Sequence, residues 1–368
     1  MTTITNTQIQ INQSDLTDLK IVHKSFNTSE LGPDQVLLKV QSFGFSANNI
    51  TYALLGSQMG YWGFFEASSG FGIMPVWGFA TVEQSNHRDL KVGEKVFGYL
   101  PFATHLRITA GKTTESNFYD VNPTRKSISP VYDQYIRCAK DPGYDPAQEV
   151  WQLNFRPLFM TSFVLDDFVA EHITDSTLQI IITSASSKTA YGAAFLLKHF
   201  KSTRAGNYRV IGLTSPSNLI FTEKSGCYDE VLSYDEYEGI SNKDDAIVLD
   251  FSGNKPLLLN LQTHLAEYMQ SMIYIGVTDV KSQMKRFEGD LKGEFFFAPS
   301  QVKKRTQEWG GQGFMQRYGN AWSAFFEHIK PLLHTHNCTG VEAICDLYHQ
   351  GLAGNFDTSQ LYYVRFEE

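Results

Sequence analysis

The chain has 368 residues, more than one hydrophobic core comfortably serves, so two domains are expected. Hydrophobic residues make up 42% and charged residues 19%, the balance of an ordinary globular protein, and no apolar run approaches the ~20 residues needed to span a bilayer. A net charge of −8 argues against a general nucleic-acid binder, which needs a basic face for phosphates.

Residues 1–18 are polar and lack the apolar stretch of a secretory signal. The cysteines, Cys138, Cys227, Cys338 and Cys345, form no C-x-x-C pair. Neither a zinc site nor a disulfide framework is indicated, which fits a reducing, cytoplasmic setting. The first third reads as β-rich, with strands expected over Gln35–Val40, Val76–Val82 and Lys95–Tyr99. Residues 113–150 are polar, contain several prolines and show no clean period, so they are expected to be a loop-rich insertion. From Pro157 the pattern changes. A helix is expected over Leu158–Val169, a buried strand over Gln179–Thr183, a helix over Ala190–Phe200 and a strand over Tyr208–Leu213. Further alternation follows: helix Asn218–Ser225, strands Glu230–Leu232 and Ala246–Asp250, helix Pro256–Tyr268, then strands Met272–Gly276 and Phe295–Phe297. Strands alternating with helices of this length mean βαβ units and a doubly wound parallel sheet, an α/β fold of Rossmann type. The tail from Val302 is mostly helical and ends in a strand near Gln360–Phe366.

In such a sheet the ligand sits beyond the carboxyl ends of the strands, near the switch point. The first turn reads Thr183-Ser184-Ala185-Ser186-Ser187-Lys188-Thr189-Ala190-Tyr191-Gly192, a loop of small residues without the G-x-G-x-x-G frame. Ala and Ser still permit a close approach of backbone to a pyrophosphate. The hydroxyls of Ser186, Ser187 and Thr189 can donate to phosphate oxygens, Lys188 supplies charge, and a helix beginning near Thr189 aims its N–H groups at the same place. Ser-Lys-Thr also resembles part of a P-loop, but the glycine frame of a nucleoside triphosphatase is missing. After the second strand comes Leu213-Thr214-Ser215-Pro216-Ser217-Asn218, hydroxyls and an amide where an NAD enzyme has a carboxylate for the ribose. That composition tolerates a 2′-phosphate and favours NADP. A helix N-cap at Ser217 is an equally open reading, and both can hold.

The order of segments resembles the medium-chain dehydrogenase/reductase superfamily, on its quinone-oxidoreductase-like, zinc-free side. Val36-Leu37-Leu38-Lys39-Val40 followed by Gly44 is similar to that family's opening strand and loop. Leu90-Lys91-Val92-Gly93-Glu94-Lys95-Val96-Phe97-Gly98 is similar to its F-K-x-G-D-R-V-x-G segment. Ile180–Lys198, Gly212–Leu232, Ile247–Gly253, Ile273–Gly276 and Phe296-Phe297-Ala298-Pro299-Ser300 match its later stretches in order. Ser46-Ala47-Asn48-Asn49-Ile50, Pro75-Val76-Trp77-Gly78-Phe79 and Tyr99-Leu100-Pro101-Phe102 resemble a separate domain-of-unknown-function branch for which no substrate is established. The resemblance implies a β-rich GroES-like substrate domain over residues 1–150 and 300–368, around a Rossmann-type nucleotide-binding domain over 151–299. Where zinc-dependent relatives carry a Cys and a G-H-E, this chain has Ser46-Ala47 and Trp77-Gly78-Phe79, so no zinc site is expected.

What the resemblance implies for the cofactor end is a contact from Thr161 near the nicotinamide and from Tyr234 near the adenine or its phosphate. Asp250, Gly276 and Phe297, in the later matched stretches, complete the set with Ser184 in the first turn. In quinone- and enoyl-reductase relatives a polar loop after the first strands faces the nicotinamide, and Asn48, Asn49 and Tyr52 fall there. An Asn amide can hydrogen-bond a carbonyl as charge develops, and a neutral phenol can protonate an enolate. The plainer reading is that Asn48-Asn49 cap a helix beginning at Ile50 and Tyr52 packs. Tyr61, in the aromatic patch Tyr61–Phe65, is the alternative donor; that patch lines an apolar pocket or fills a core. Together these expectations describe an NADPH-dependent reductase of an activated double bond or carbonyl in a small apolar molecule. It has no nucleic-acid or membrane partner and forms a homodimer as relatives commonly do. The alternative is a nucleotide-binding or sensor protein that keeps the fold without turnover. A further reading gives the 113–150 insertion a partner of its own.

Overall fold

The computed structural model describes residues 3–125, 129–173, 178–204, 207–275 and 291–367. The chain divides into two compact units, one of Met1–Asn154, Thr335–Phe356 and Leu361–Glu368, the other of Phe155–His334 and Asp357–Gln360.

The first unit opens with an antiparallel hairpin of β1 (Thr3–Asn12) and β2 (Leu19–Asn27). β3 (Gln35–Phe45) runs into helix α1 (Ala47–Leu54), and β4 (Phe71–Gly72) adds to the end of β1. β5 (Pro75–Ser85), β6 (Lys95–Pro101), β7 (His105–Gly111), β8 (Asn117–Asp120) and β9 (Gln134–Arg137) follow. Strand β3 pairs with β5 along its length and with β7 through Gln35–Lys39, so the order β3-β5-β6-β9-β8-β7 closes on itself. Closure removes the unpaired edges that an open sheet exposes. The alternating apolar residues of β3, such as Val36, Leu38 and Val40, are buried as this arrangement requires. The expected strands at Gln35–Val40, Val76–Val82 and Lys95–Tyr99 are all present and longer than read, because flanking residues join the ladders.

Residues 113–150 are mainly turns and loops, with two short strands among them. They supply β8 and β9, and Phe118, Tyr132, Tyr135 and Cys138 are buried. Two strands of four residues each are too short to show a period. Their position is held by Arg125, whose buried guanidinium meets Asp120 at 3.2 Å, Asp133 at 3.1 Å and the Tyr135 hydroxyl at 2.9 Å. A charge removed from water is tolerable only with such partners.

The second unit takes in most of helix α2 (Glu149–Ala170) and then alternates strand and helix. Its sheet strands are β10 (Leu178–Thr183), β11 (Tyr208–Thr214), β12 (Glu230–Ser233), β13 (Asp245–Asp250), β14 (Met269–Tyr274) and β15 (Glu294–Phe295). Helices α3 (Lys188–Phe200), α4 (Leu219–Lys224) and α5 (Lys255–Leu265) lie between them. All the strand pairings are parallel, in the order β12-β11-β10-β13-β14-β15. Numbered within the sheet this is 3-2-1-4-5-6, the Rossmann order, with its switch point between β10 and β13. Strands buried on both faces read as continuous apolar runs, and all six residues of β10 are buried.

The long helix α6 (Ala298–Ile329) changes direction at Gly310, whose φ is 71°. It lies in the second unit, so residues 300–334 do not belong with the β-rich unit as the resemblance implied. The reason is its apolar face: Phe314, Tyr318 and Phe325 pack their rings against Phe159 and Phe163 of α2. Strand β16 (His334–Thr339), helix α7 (Val341–Leu352) and strand β17 (Gln360–Arg365) complete the chain. β17 adds to β3 through Tyr362–Val364, and Asp357–Gln360 returns to the second unit just before it. No helix among the described residues is long and apolar enough to cross a membrane.

Candidate functional site

The switch point of the second unit is built around Thr183, the last residue of β10, and Asp250, the last of β13. The Thr183 hydroxyl donates to Asp250 Oδ1 at 2.8 Å and accepts the N–H groups of Phe251 and Ser252 at 3.0 and 3.1 Å. The same carboxylate oxygen accepts from the Ser252 N–H and hydroxyl, each at 2.9 Å, and from Gly253 N–H at 3.1 Å. Asp250 thus ties the turn after β13 to the end of β10.

Ser184 turns the chain sharply, with φ at 50°, a left-handed conformation that a residue with a Cβ adopts at some cost. The turn then rests on its neighbours. Ala185 N–H donates to Leu213 O at 3.0 Å, and the buried Tyr228 hydroxyl donates to Ala185 O at 2.7 Å. Gly212 makes room for this: a Cβ there would stand 2.9 Å from the Tyr228 ring and 3.0 Å from the Ala185 side chain. The Thr214 hydroxyl donates to Ser186 Oγ at 3.3 Å, joining the turns after β10 and β11.

Ser187 is the N-cap of α3, and its side chain makes no capping bond. Its hydroxyl is enclosed and has no hydrogen-bond partner. An enclosed hydroxyl without a partner loses its hydration for nothing in return, so this position suits an incoming acceptor. The first N–H groups of the 13-residue helix point the same way as its dipole, a direction that favours an anion. Lys188, the next residue, is less available than its sequence position suggested. Its ammonium donates to Gln360 O at 3.0 Å, and desolvation pushes it down to about 8, although the nearby Asp357 carboxylate favours the charged form. Thr189 offers its carbonyl to the Ser162 hydroxyl at 2.7 Å.

The turn after β11 is similarly organised. Asn218 Nδ2 donates to Ser215 Oγ at 3.0 Å, Ser215 and Ser217 share a hydrogen bond at 3.0 Å, and Thr358 donates to Asn218 Oδ1 at 3.2 Å. Of the remaining expected cofactor residues, the Thr161 hydroxyl donates to Pro157 O at 3.3 Å within α2. Tyr234 packs against the apolar cluster of Ile211, Leu213 and Val248. Phe297 is the N-cap of α6, and Gly276 lies outside the described residues.

In the first unit, α1 begins at Ser46 with a reciprocal cap. Asn49 Oδ1 accepts from Ser46 N–H at 2.9 Å, and Ser46 Oγ accepts from Asn48 N–H at 3.3 Å. The helix therefore starts at Ala47 rather than Ile50, and Asn49 is buried with its carbonyl oxygen committed to the cap. Tyr52 Oη accepts from Trp77 Nε1 at 3.0 Å. Its ring lies 4.7 Å from Tyr61 and 5.5 Å from Tyr99, and Tyr99 lies 4.7 Å from Tyr132. Burial raises the Tyr52 hydroxyl above its ordinary range, against hydrogen bonds from Asn48, Trp77 and Tyr99. Burial likewise raises Tyr61, Tyr99 and Tyr132, so all four phenols stay neutral at physiological pH. Tyr61, Phe64 and Phe65 are buried in this cluster, so the patch Tyr61–Phe65 fills a core.

A family model described as Protein of unknown function (DUF2855) matches residues 43–357. The chain belongs to this family. No curated protein sequence matches the DUF2855 chain. Solved structures do. CurA from Vibrio vulnificus, crystallised with NADPH, is 14% identical with a TM-score of 0.61, over 98% of this chain and 99% of that one. The Etr1p complex with NADP and crotonyl-CoA is 14% identical with a TM-score of 0.55, over 98% and 100%. A mutant enoyl thioester reductase from Candida tropicalis is 13% identical with a TM-score of 0.53, over 98% and 100%. The likeness read from the motifs thus extends along the whole DUF2855 chain as a shared fold.

The turns after β10 and β11 were legible as candidate residues. The supports were not: Thr183, Tyr228, Trp77 and Tyr99 lie in quoted stretches that assign them no role, Tyr132 and Thr358 lie in none, and each acts across many residues of sequence. Among the described residues no three His, Cys, Asp or Glu side chains gather as a metal site.

Proposed function

We propose that the chain binds NADPH along the carboxyl edge of its parallel sheet and reduces an activated C=C or C=O of a small apolar molecule of the quinone, enone or enoyl type. The observation that carries this reading is the enclosed, unpartnered Ser187 hydroxyl at the N-terminus of α3, in a sheet of Rossmann order. The residues present fit a dinucleotide. Ser184, Ala185 and Ser186 bring only small side chains to the turn, and the α3 N–H groups with the Ser187 hydroxyl suit a pyrophosphate. Ser215, Ser217 and Asn218 suit a 2′-phosphate, with no carboxylate in that turn to repel it. CurA with NADPH, and Etr1p with NADP and crotonyl-CoA, share the fold and motivate the choice of cofactor and substrate class. When bound, the nicotinamide supplies the hydride.

The protein's part is to orient and to hold a proton. Trp77 donates to the Tyr52 oxygen, which leaves the phenolic hydrogen of Tyr52 to be given away. Asn48 beside that hydroxyl is the candidate partner for a carbonyl oxygen. A second reading, a nucleotide-binding protein without turnover, is favoured by the burial of Tyr52, 6% exposed within its aromatic cluster, and by the commitment of Asn49 to the helix cap. A cytoplasmic setting and a homodimer belong to the same proposal; free thiols at all four cysteines support the first.

Calorimetric titration of the purified chain with NADPH and NADH is the first test. NADPH is expected to bind more tightly, and absence of binding by both sinks the proposal. NADPH oxidation with a panel of quinones and enones then separates the two readings: turnover that Tyr52→Phe lowers by about 100-fold, the usual range of a lost general acid, supports the enzyme. Binding without turnover supports the sensor.

A further inference from the structure

Thr358 lies on the short segment Asp357–Gln360, which returns to the second unit before β17. Two contacts fasten this segment over the nucleotide turns. Gln360 O accepts from Lys188 Nζ at 3.0 Å, beside the turn after β10, and the Thr358 hydroxyl donates to Asn218 Oδ1 at 3.2 Å, at the turn after β11. The segment also holds its own shape. The Asp357 carboxylate accepts from Ser359 N–H at 2.9 Å, Ser359 Oγ at 2.6 Å and Gln360 Nε2 at 3.3 Å, so Thr358 sits on a braced turn.

The direction of these bonds has a chemical consequence. A side-chain amide has one accepting end and one donating end, and here the Thr358 hydroxyl meets the accepting end. With Thr358 donating to Oδ1, the Asn218 amide must turn its NH2 toward Ser215, and Nδ2 donates to Ser215 Oγ at 3.0 Å. Ser215 Oγ then accepts from Asn218 and keeps its own hydrogen for an outside acceptor or for the half-exposed pair with Ser217. Were the amide reversed, Ser215 would have to donate inward, and the turn would lose an outward donor. The result is a group of neutral donors with no carboxylate among them, the recognition chemistry of a phosphate on a sugar hydroxyl.

We infer that Thr358 is a positioning residue for cofactor choice: through Asn218 it orients the Ser215 hydroxyl as a donor to the 2′-phosphate and so sets the preference for the phosphorylated dinucleotide. The inference rests on the dinucleotide reading above. It places the selectivity determinant about 140 residues from the turn it acts on, in a segment that no dinucleotide motif includes.

The experiment is calorimetric titration of wild type, Thr358→Val and Thr358→Ser with 2′,5′-ADP, 5′-AMP, NADPH and NADH. Valine keeps the shape and removes the donor; serine keeps the donor. Thr358→Val is expected to weaken NADPH and 2′,5′-ADP by about fivefold to tenfold, within the range of one lost hydrogen bond, while NADH and 5′-AMP stay within about twofold. Thr358→Ser is expected to keep the wild-type ratio. Equal weakening of phosphorylated and unphosphorylated ligands by Thr358→Val overturns the inference, as does an unchanged NADPH to NADH ratio, and in both cases the dinucleotide reading stands. Wild type that binds none of the four ligands overturns both.

Discussion

Lys188 is the residue whose chemistry differs most from what its position in the sequence suggests. A lysine at the start of a helix after the first Rossmann strand reads as a phosphate ligand, yet its ammonium reaches the Gln360 carbonyl and is pushed down to about 8 by desolvation. A lysine with a lowered folded pKa holds fewer protons than the unfolded chain between pH 8 and its ordinary value of 10.5. Stability from this group therefore rises with pH through that window, and its cost is present in full below pH 8. Lys188→Met is expected to gain most over wild type near pH 7 and to lose that gain as pH climbs, by up to ~1.4 kcal/mol per pH unit. Urea unfolding of both proteins from pH 7 to 10 checks this; a constant difference across the range contradicts it. The same burial makes NADPH binding above pH 8 a proton-uptake event if the phosphate recruits this amine, which titration in buffers of different ionisation enthalpy reads directly.

Helices α2 and α3 meet at Ser162 and Gly192, beside the Phe159 ring. A Cβ at Gly192 would stand 2.7 Å from the Ser162 hydroxyl and 3.1 Å from its Cβ, so Gly192→Ala forces the two helices apart. The expected loss is about 1–3 kcal/mol, the usual cost of overpacking. Ser162→Ala in the same chain removes the nearest atom, so the double variant is expected to lose less than the sum of the single ones in thermal unfolding. Strict additivity would show that the two side chains do not compete for space. Helix α2 also continues through Pro157, the residue before the start that a sequence reading gives it. Proline has no N–H to offer the Leu153 carbonyl four residues earlier. That carbonyl lies instead against Gly44 of β3, where a Cβ would stand 2.4 Å from it. The glycine that resembled a family loop signal is thus also a packing requirement of the first unit.

For the molecule as a whole, the last dozen residues serve both units. Leu361 and Val364 of β17 are fully buried, and Tyr362 O accepts from Asn154 Nδ2 at 3.0 Å, while Asp357–Gln360 bind the turns of the second unit. Deleting residues 357–368 is expected to lower the melting temperature of the whole chain and to expose apolar surface of the first unit to a hydrophobic dye. A truncated chain with wild-type melting and no added dye binding would show that β17 is dispensable.

Read alone, the amino-acid order was enough for the parallel sheet and its helices, because Ile180-Ile181-Ile182 and Ile247-Val248-Leu249 are apolar runs of strand length separated by helical spacing, a local signal. It was enough also to single out the turns after β10 and β11 as candidates, since hydroxyls and small residues after a strand are visible in one dimension. It was insufficient for residues 113–150, whose strands of four residues exist through pairing and through the charges around Arg125. Nor did it place α6 in the second unit, since its apolar face is interrupted by Gly310-Gly311-Gln312-Gly313 and its partner, α2, lies over a hundred residues away along the chain. The contacts of Lys188 and Thr358 belong to this second group. A side chain's chemistry depends on which donor, acceptor or low-dielectric wall the folded chain sets against it, and those neighbours come from distant segments that no local pattern records.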